Sequence, residues 1–224
     1  RLLLSGHFDT VHDPHSSCRE LRAIGGGRAT GPGCADMKGG LVIALAALEA
    51  IAEAGARPAW TFVLVPDEES GSLGSAHALR AVAPGHCAAL VFEPAGAGDS
   101  LVTERMGAGQ FMIEAIGRAA HAGRDYADGR SAVRALCRAV LAAEAASAPD
   151  AGRIVNVGPL EGGVCDGNNL QAAGVPVIDT LGVRGGNLHR EDEWVDLDGL
   201  VDRAQLAALA MLRTVAAAAP TMRP

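Results

Sequence analysis

Side chains able to bind a metal ion recur along this chain where strand-like apolar runs or turns come to an end. His7 and Asp9 close the run Arg1-Leu-Leu-Leu-Ser-Gly-His7-Phe-Asp9. Glu68 and Glu69 follow Trp60-Thr-Phe-Val-Leu-Val-Pro-Asp67, and Glu93 follows Ala88-Ala-Leu-Val-Phe. Asp36 stands in Gly31-Pro-Gly-Cys-Ala-Asp36-Met-Lys-Gly-Gly40, and His189 ends Arg184-Gly-Gly-Asn-Leu-His189. In an open parallel sheet, ligands gather in the crevice beyond the carboxyl ends of the strands, so groups distant in sequence can meet there. Two imidazoles and three carboxylates, those of His7, Asp36, Glu69, Glu93 and His189, suffice for two borderline cations. Zn²⁺ suits such nitrogen and oxygen donors.

Each of these signals has a plainer alternative. Side chains at i and i+2 of a strand share a face, so Asp9 could accept the second N–H of a metal-bound His7. The pair could equally be a loop histidine beside a solvated aspartate. Adjacent Glu68 and Glu69 diverge, which lets one bind metal while the other serves as a general base. They could also be the acidic opening of a helix, where negative charge is favoured. Asp36 precedes a helical stretch and could be its N-cap. The Gly33–Lys38 segment lacks the spacing and the Ser/Thr of a phosphate loop, which sets nucleotide binding aside. The weight lies in the common placement of these groups.

The elements that would position them alternate. A buried strand is expected over Arg1–Ser5 and a helix over Lys38–Ala54, with Leu41, Ala44, Leu45, Leu48 and Ile51 at helical spacing. Strand Trp60–Val65, helix Ser72–Val82 and strand Ala88–Phe92 follow. This β-α-β-α-β order predicts an α/β fold, a three-layer αβα protein with a mainly parallel sheet. The texture changes between residues 101 and 164. A strand over Gln110–Gly117, a helix over Asp128–Ala146 and a strand over Arg153–Val157 suggest a small α+β appendage. A strand over Val175–Leu181 and a helix over Leu197–Ala218 then resume the main pattern. The expected organisation is an α/β domain in two parts, 1–100 and 165–224, interrupted by the appendage at 101–164.

With 224 residues, about half of them apolar, the chain can bury a substantial core. Nineteen basic against twenty-six acidic residues give a net charge of −7, which argues against nucleic acid as a partner. Five cysteines without a C-x-x-C pair fit a reduced, cytoplasmic protein. The apolar run Leu41–Ala52 is too short for a membrane span. Because the chain opens at Arg1 inside a strand pattern, a targeting segment upstream is left open.

Taken together, Ser5-Gly-His7-Phe-Asp9-Thr-Val, Gly31–Gly40, Asp67-Glu68-Glu69-Ser-Gly-Ser-Leu-Gly-Ser75 and Phe92-Glu93-Pro94 resemble the dinuclear-zinc amidohydrolase family. That family includes glutamate carboxypeptidase, acetylornithine deacetylase, succinyl-diaminopimelate desuccinylase and aminoacylase. Ala119-Ala-His121-Ala-Gly123 is similar to its lid motif, and Asp166-Gly-Asn-Asn169 with Gly182–His189 to its closing segment. The resemblance implies a zinc exopeptidase-like fold, in which 1–100 and 165–224 would make the catalytic domain and 101–164 its lid. It places His7 and Glu93 on one zinc and Glu69 and His189 on the other, with Asp36 bridging; cobalt or manganese could replace zinc. Asp9 would orient His7, and Glu68 would deprotonate the attacking water. His121, Asn169 and Arg184 would contact a small N-acyl amino acid or peptide substrate. A cis peptide at Asp36–Met37 and a homodimer through the lid are also implied.

The chain departs from the family pattern in two places. It begins at the Ser-Gly-His strand, and its lid holds only the first β-α-β of a β-α-β-β-α-β unit. The absent half of the lid carries an asparagine and an arginine that grip the substrate's carboxylate. The leading expectation is therefore a zinc-dependent metallopeptidase of carboxypeptidase or deacylase type. Its rival is a catalytically impaired metal-binding remnant or partner subunit. A plain α/β domain with solvated acidic strand ends is the third reading.

Overall fold

The computed structural model describes residues 1–103, 111–151, 153–155, 157 and 165–219. The chain divides into two compact units. The larger comprises Arg1–Gly107 with Gly162–Pro224, and the smaller is Ala108–Glu161.

The larger unit is built on two sheets. In the first, β1 (Leu2–His7), β4 (Trp60–Val65), β5 (Ala88–Val91) and β6 (Val177–Ile178) lie in the order β4-β1-β5-β6, all parallel. The second is antiparallel: β2 (Arg22–Gly25), β3 (Arg28–Thr30), β7 (Gly185–Gly186) and β8 (Trp194–Asp196), in the order β2-β3-β8-β7.

Strand alternation explains why helices cover both faces of the parallel sheet. Leu2, Leu4, Leu90 and Phe92 point into one core. There they meet Ile43, Ala44 and Ala47 of α1 (Gly39–Glu53) and Ala207 and Met211 of α5 (Leu200–Ala218). Leu3, Ala89 and Val91 point the other way, against Leu79 of α2 (Ala76–Val82) and Leu170 of α4 (Asp166–Ala172). Each fully buried leucine contributes about 1.5–3 kcal/mol. The abundance of alanine on α1 and α5 lets these helices lie close together.

Several element limits differ from expectation for identifiable reasons. β1 runs on to His7, in register with Val65 of β4. α2 begins at Ala76 instead of Ser72. Residues 67–72 form a tight turn in which the Ser72 N–H donates to the Asp67 carbonyl at 2.7 Å, with Ser72 at φ 53°. The expected strand Val175–Leu181 contracts to two residues. Pro176 has no N–H to give, though its carbonyl accepts from Ala89 at 2.8 Å.

In the smaller unit, α3 (Ala132–Glu144) is N-capped by the Ser131 hydroxyl, which accepts from the Arg134 N–H. The strand expected over Gln110–Gly117 is not formed across 111–117, and Gln110 lies outside the described residues. Arg118 bridges to Arg130 and Ala148 to Arg153, but no ladder runs through 111–117. Phe111, Met112 and Ile116 are more than four-fifths exposed, so apolar alternation there has, among the described residues, neither a partner strand nor a core to bury it. Residues 153–155 form no strand either, and Asn156 of the expected Arg153–Val157 strand is outside the described residues.

Candidate metal centre

The parallel sheet delivers its chemistry at one end. His7 is the last residue of β1, Glu68 and Glu69 follow β4 by three and four residues, and Glu93 follows β5 by two. Asp36 comes from the turn Cys34–Lys38 that leads into α1, where its backbone leaves helical geometry (φ −110°, ψ 95°). The Asp36–Met37 peptide is cis. His189 sits at φ 64° in the tight loop between β7 and β8.

These groups converge. Asp36 stands between the two histidines, with Oδ1 3.1 Å from His7 Nε2 and Oδ2 3.2 Å from His189 Nε2. Glu93 Oε2 lies 3.8 Å from His7 Nε2, and Glu69 Oε2 lies 3.4 Å from His189 Nε2. Glu68 Oε2 is 3.9 Å from His7 Nε2. Among the described residues, one set of potential ligand atoms from His7, Asp36 and Glu93 falls within 4.8 Å of one another. A second set comes from Asp36, Glu69 and His189, and a third from His7, Glu68 and Glu69.

Asp9 lies past the end of β1, so a loop and not strand alternation brings it to His7. His7 Nδ1 is 3.3 Å from both the carbonyl oxygen and Oδ1 of Asp9. Asp9 Oδ2 accepts the Glu69 N–H at 3.0 Å. One aspartate thus ties the His7 ring to the Glu68–Glu69 turn.

Burial here is asymmetric. His7, Asp36, Glu68 and Glu93 are buried, whereas the His189 side chain is half exposed, so the centre opens to solvent on the His189 side. Low polarity and crowded negative charge shift the titration of His7, Asp36, Glu68, Glu69 and Glu93. Burial pulls the His7 imidazolium down, but bonding to Asp36 and Glu93 and the charges of Glu93 and Glu68 lift it to about 11. Burial, reinforced by Glu93, pushes Glu68 up to about 9. Burial raises Glu93 to about 7 against the pull of His7. Burial and the neighbouring Asp36 charge raise Glu69. For Asp36 burial acts upward as well, yet His7 and His189 outweigh it and hold the carboxyl below its ordinary range.

Such a cluster takes up positive charge readily. Glu69 Oε1 is buried with no hydrogen-bond donor among the described residues, and a buried acceptor without a donor is what a cation would satisfy. The donor set, imidazole nitrogens and carboxylate oxygens, suits zinc and its neighbours.

The other expected contacts have partners of their own. The Asn169 side-chain oxygen accepts from Arg80 Nη2 at 2.9 Å. Arg184 forms a two-pronged pair with Asp99, both bonds 2.6 Å. His121 belongs to the smaller unit, where it is exposed and accepts the Gly123 N–H through Nδ1. Sequence reasoning passed over Glu193, which is 1% exposed. In Arg190-Glu-Asp-Glu193 it reads as one of several solvated charges, and only its place four residues after His189 hinted at more. Ser72, which donates to Asp166 Oδ1 at 2.7 Å, was also missed.

The protein is thus a three-layer α/β fold that gathers histidines and carboxylates at the carboxyl ends of its parallel strands. Its sequence narrows this further: residues 3–213 match the model of Peptidase family M20/M25/M40, and the chain belongs to that family. It is 36% identical over 125 residues to carboxypeptidase G2 of Pseudomonas sp. (strain RS-16). That match covers 54% of this chain and 30% of the relative, so the chain spans under a third of that protein's length. Two solved structures share the fold at 16% identity. A tripeptidase from Staphylococcus aureus subsp. aureus mu50 gives a TM-score of 0.63 over 96% of this chain and 81% of that one. The aminopeptidase PepT from Bacillus cereus ATCC 10987 gives 0.59 over 96% and 80%. No helix among the described residues is long and apolar enough to cross a membrane.

Proposed function

We propose that this chain hydrolyses an amide bond of a small N-acyl amino acid or peptide at a two-metal centre. His7, Asp36 and Glu93 hold one ion, Asp36, Glu69 and His189 the other, and zinc is the first choice. The observation that carries this reading is the pair of three-ligand groups that share Asp36. Similarity to a carboxypeptidase supports the substrate class.

Metal ions held there would polarise a carbonyl oxygen, lower the pKa of a water and draw the raised Glu68 carboxyl back towards its ionised form. Glu68 is the proton carrier: it stands beside the two groups without belonging to either of them. It takes a proton from the attacking water and returns it to the leaving amine nitrogen. Asp9 holds the His7 ring so that Nε2 faces the centre. The half-exposed His189 side is the route for substrate. Asn169 and Arg184 are the proposed substrate contacts, each exchanging its present partner for it. Absence of any disulfide among the five cysteines supports a reducing, cytoplasmic setting.

A second reading, an impaired metal-binding remnant, is favoured by one observation: no described residue of the smaller unit is buried. Elemental analysis with hydrolysis of a panel of N-acyl amino acids and small peptides decides between them. Two metals per chain and turnover, with Glu68→Ala lowering kcat at least about 10²-fold while both metals stay bound, is the expected result. Two metals without turnover in the parent selects the remnant, and absence of metal removes both readings.

A further inference from the structure

Resting on this metal-centre reading, we propose that Glu193, held by His12, is the positioning residue that sets the Asp36 carboxylate between His7 and His189. Glu193 Oε1 accepts two consecutive backbone N–H groups, Ala35 at 2.7 Å and Asp36 at 2.9 Å. Its Oε2 lies 2.9 Å from His12 Nε2, and both side chains are almost wholly buried. Its main-chain carbonyl accepts from the Thr30 hydroxyl at 2.5 Å.

A carboxylate this deep is tolerated only when its oxygens are hydrogen-bonded, and each oxygen of Glu193 has a partner. The direction of the bonds is informative. Asp36 has left helical geometry, so its N–H is not given to a helical carbonyl but turned onto Glu193. With the Asp36 N–H fixed on Glu193, its carboxylate is presented to the two histidines. Glu193 also closes the loop that carries His189: its N–H donates to the Arg190 carbonyl at 3.0 Å, and the Arg190 N–H to Asn187 at 3.2 Å. One side chain therefore couples the shared ligand to the loop of the exposed one. His12, on the loop after β1, connects the same carboxylate to the strand that ends in His7.

The test uses the full chain with Glu193→Ala, Glu193→Gln and His12→Phe, and two readouts. The first is hydrogen exchange at the Ala35 and Asp36 amides in metal-free protein. The second is Co²⁺ affinity by chelator competition, with the Co²⁺ absorption spectrum reporting ligand geometry. In Glu193→Ala, exchange at these two amides should quicken by about tenfold or more, and Co²⁺ affinity should fall by roughly 10- to 100-fold. Glu193→Gln keeps an acceptor oxygen and should restore slow exchange and most of the affinity. A role confined to folding would move the melting temperature but leave the Co²⁺ spectrum and affinity of the folded variant as in the parent. Parental exchange or parental affinity in folded Glu193→Ala overturns the proposal. If that variant does not fold, unaltered Co²⁺ affinity in His12→Phe overturns it instead. A parent that binds no Co²⁺ defeats the metal-centre reading itself. The exchange readout, run without metal, still decides whether Glu193 holds the Asp36 backbone.

Discussion

Ser72 and Asp166 form a buried pair behind the Glu68–Glu69 turn. The hydroxyl reaches Asp166 Oδ1, while Oδ2 has no hydrogen-bond donor among the described residues. Burial pushes the Asp166 carboxyl up to about 6 from an ordinary value of 3.8, against the Ser72 hydrogen bond. Ser72→Ala removes the donor to a buried acceptor and should cost about 1–3 kcal/mol in urea unfolding. The pH dependence has a definite sign. Between pH 3.8 and about 6 the folded state retains this proton more than the unfolded state, so the group's contribution is greatest in acid and declines as pH rises through 6. In metal-free protein, Asp166→Asn should therefore lose less stability than the parent on going from about pH 4 to pH 7. Individual chemistry of this kind was half legible. The seven acidic and imidazole positions stood out because each closes an apolar run or stands in a Gly-rich turn. Ser72, Glu193 and His12 did not, since hydrogen bonds across more than ninety residues leave no local pattern.

At the scale of elements, the parallel sheet could be read from strand alternation. β1, β4 and β5 are mostly apolar stretches of four to six residues, and the helices between them carry apolar stripes. The antiparallel sheet could not. Its strands are two to four residues long, Arg22–Gly25 is exposed throughout, and Gly185–Gly186 has no side chains to show a period. Glycine is required where elements crowd the Glu93 strand end. A Cβ at Gly40, in the first turn of α1, would overlap the Phe92 carbonyl oxygen. A Cβ at Gly182 would overlap that same atom and come within 2.7 Å of the Glu93 carbonyl. Gly182→Ala must then shift the backbone that presents Glu93. We expect a loss of about 1–3 kcal/mol in thermal unfolding, with metal affinity falling further than stability alone accounts for.

For the whole molecule, the smaller unit stands out. Phe111, Met112, Ile116 and Ile154 are each at least 71% exposed, and α3 adds Val133 and Leu141. Exposed apolar surface on this scale leads us to expect that copies of the chain associate through the smaller unit. Light scattering should show a mass that rises with concentration, and Phe111→Asp with Ile116→Lys should hold the chain as a monomer. A mass independent of concentration in the parent would count against association. Why alternation misled the reading at Gln110–Gly117 is also a matter of scale: period two marks the capacity to form a strand, whereas a strand exists only with a neighbour to pair with.

The unequal shelter of the two ligand groups bears on how the centre empties. One is closed by three buried side chains, while the other is finished by a histidine whose ring is 51% exposed on a surface loop. On the proposed two-metal occupancy, departure of the ions should be stepwise. A chelator such as EDTA should strip one quickly and the other slowly, leaving a half-loaded species that mass spectrometry under native conditions can count. In His189→Ala the fast phase should vanish, and only the sheltered ion should be seen to leave.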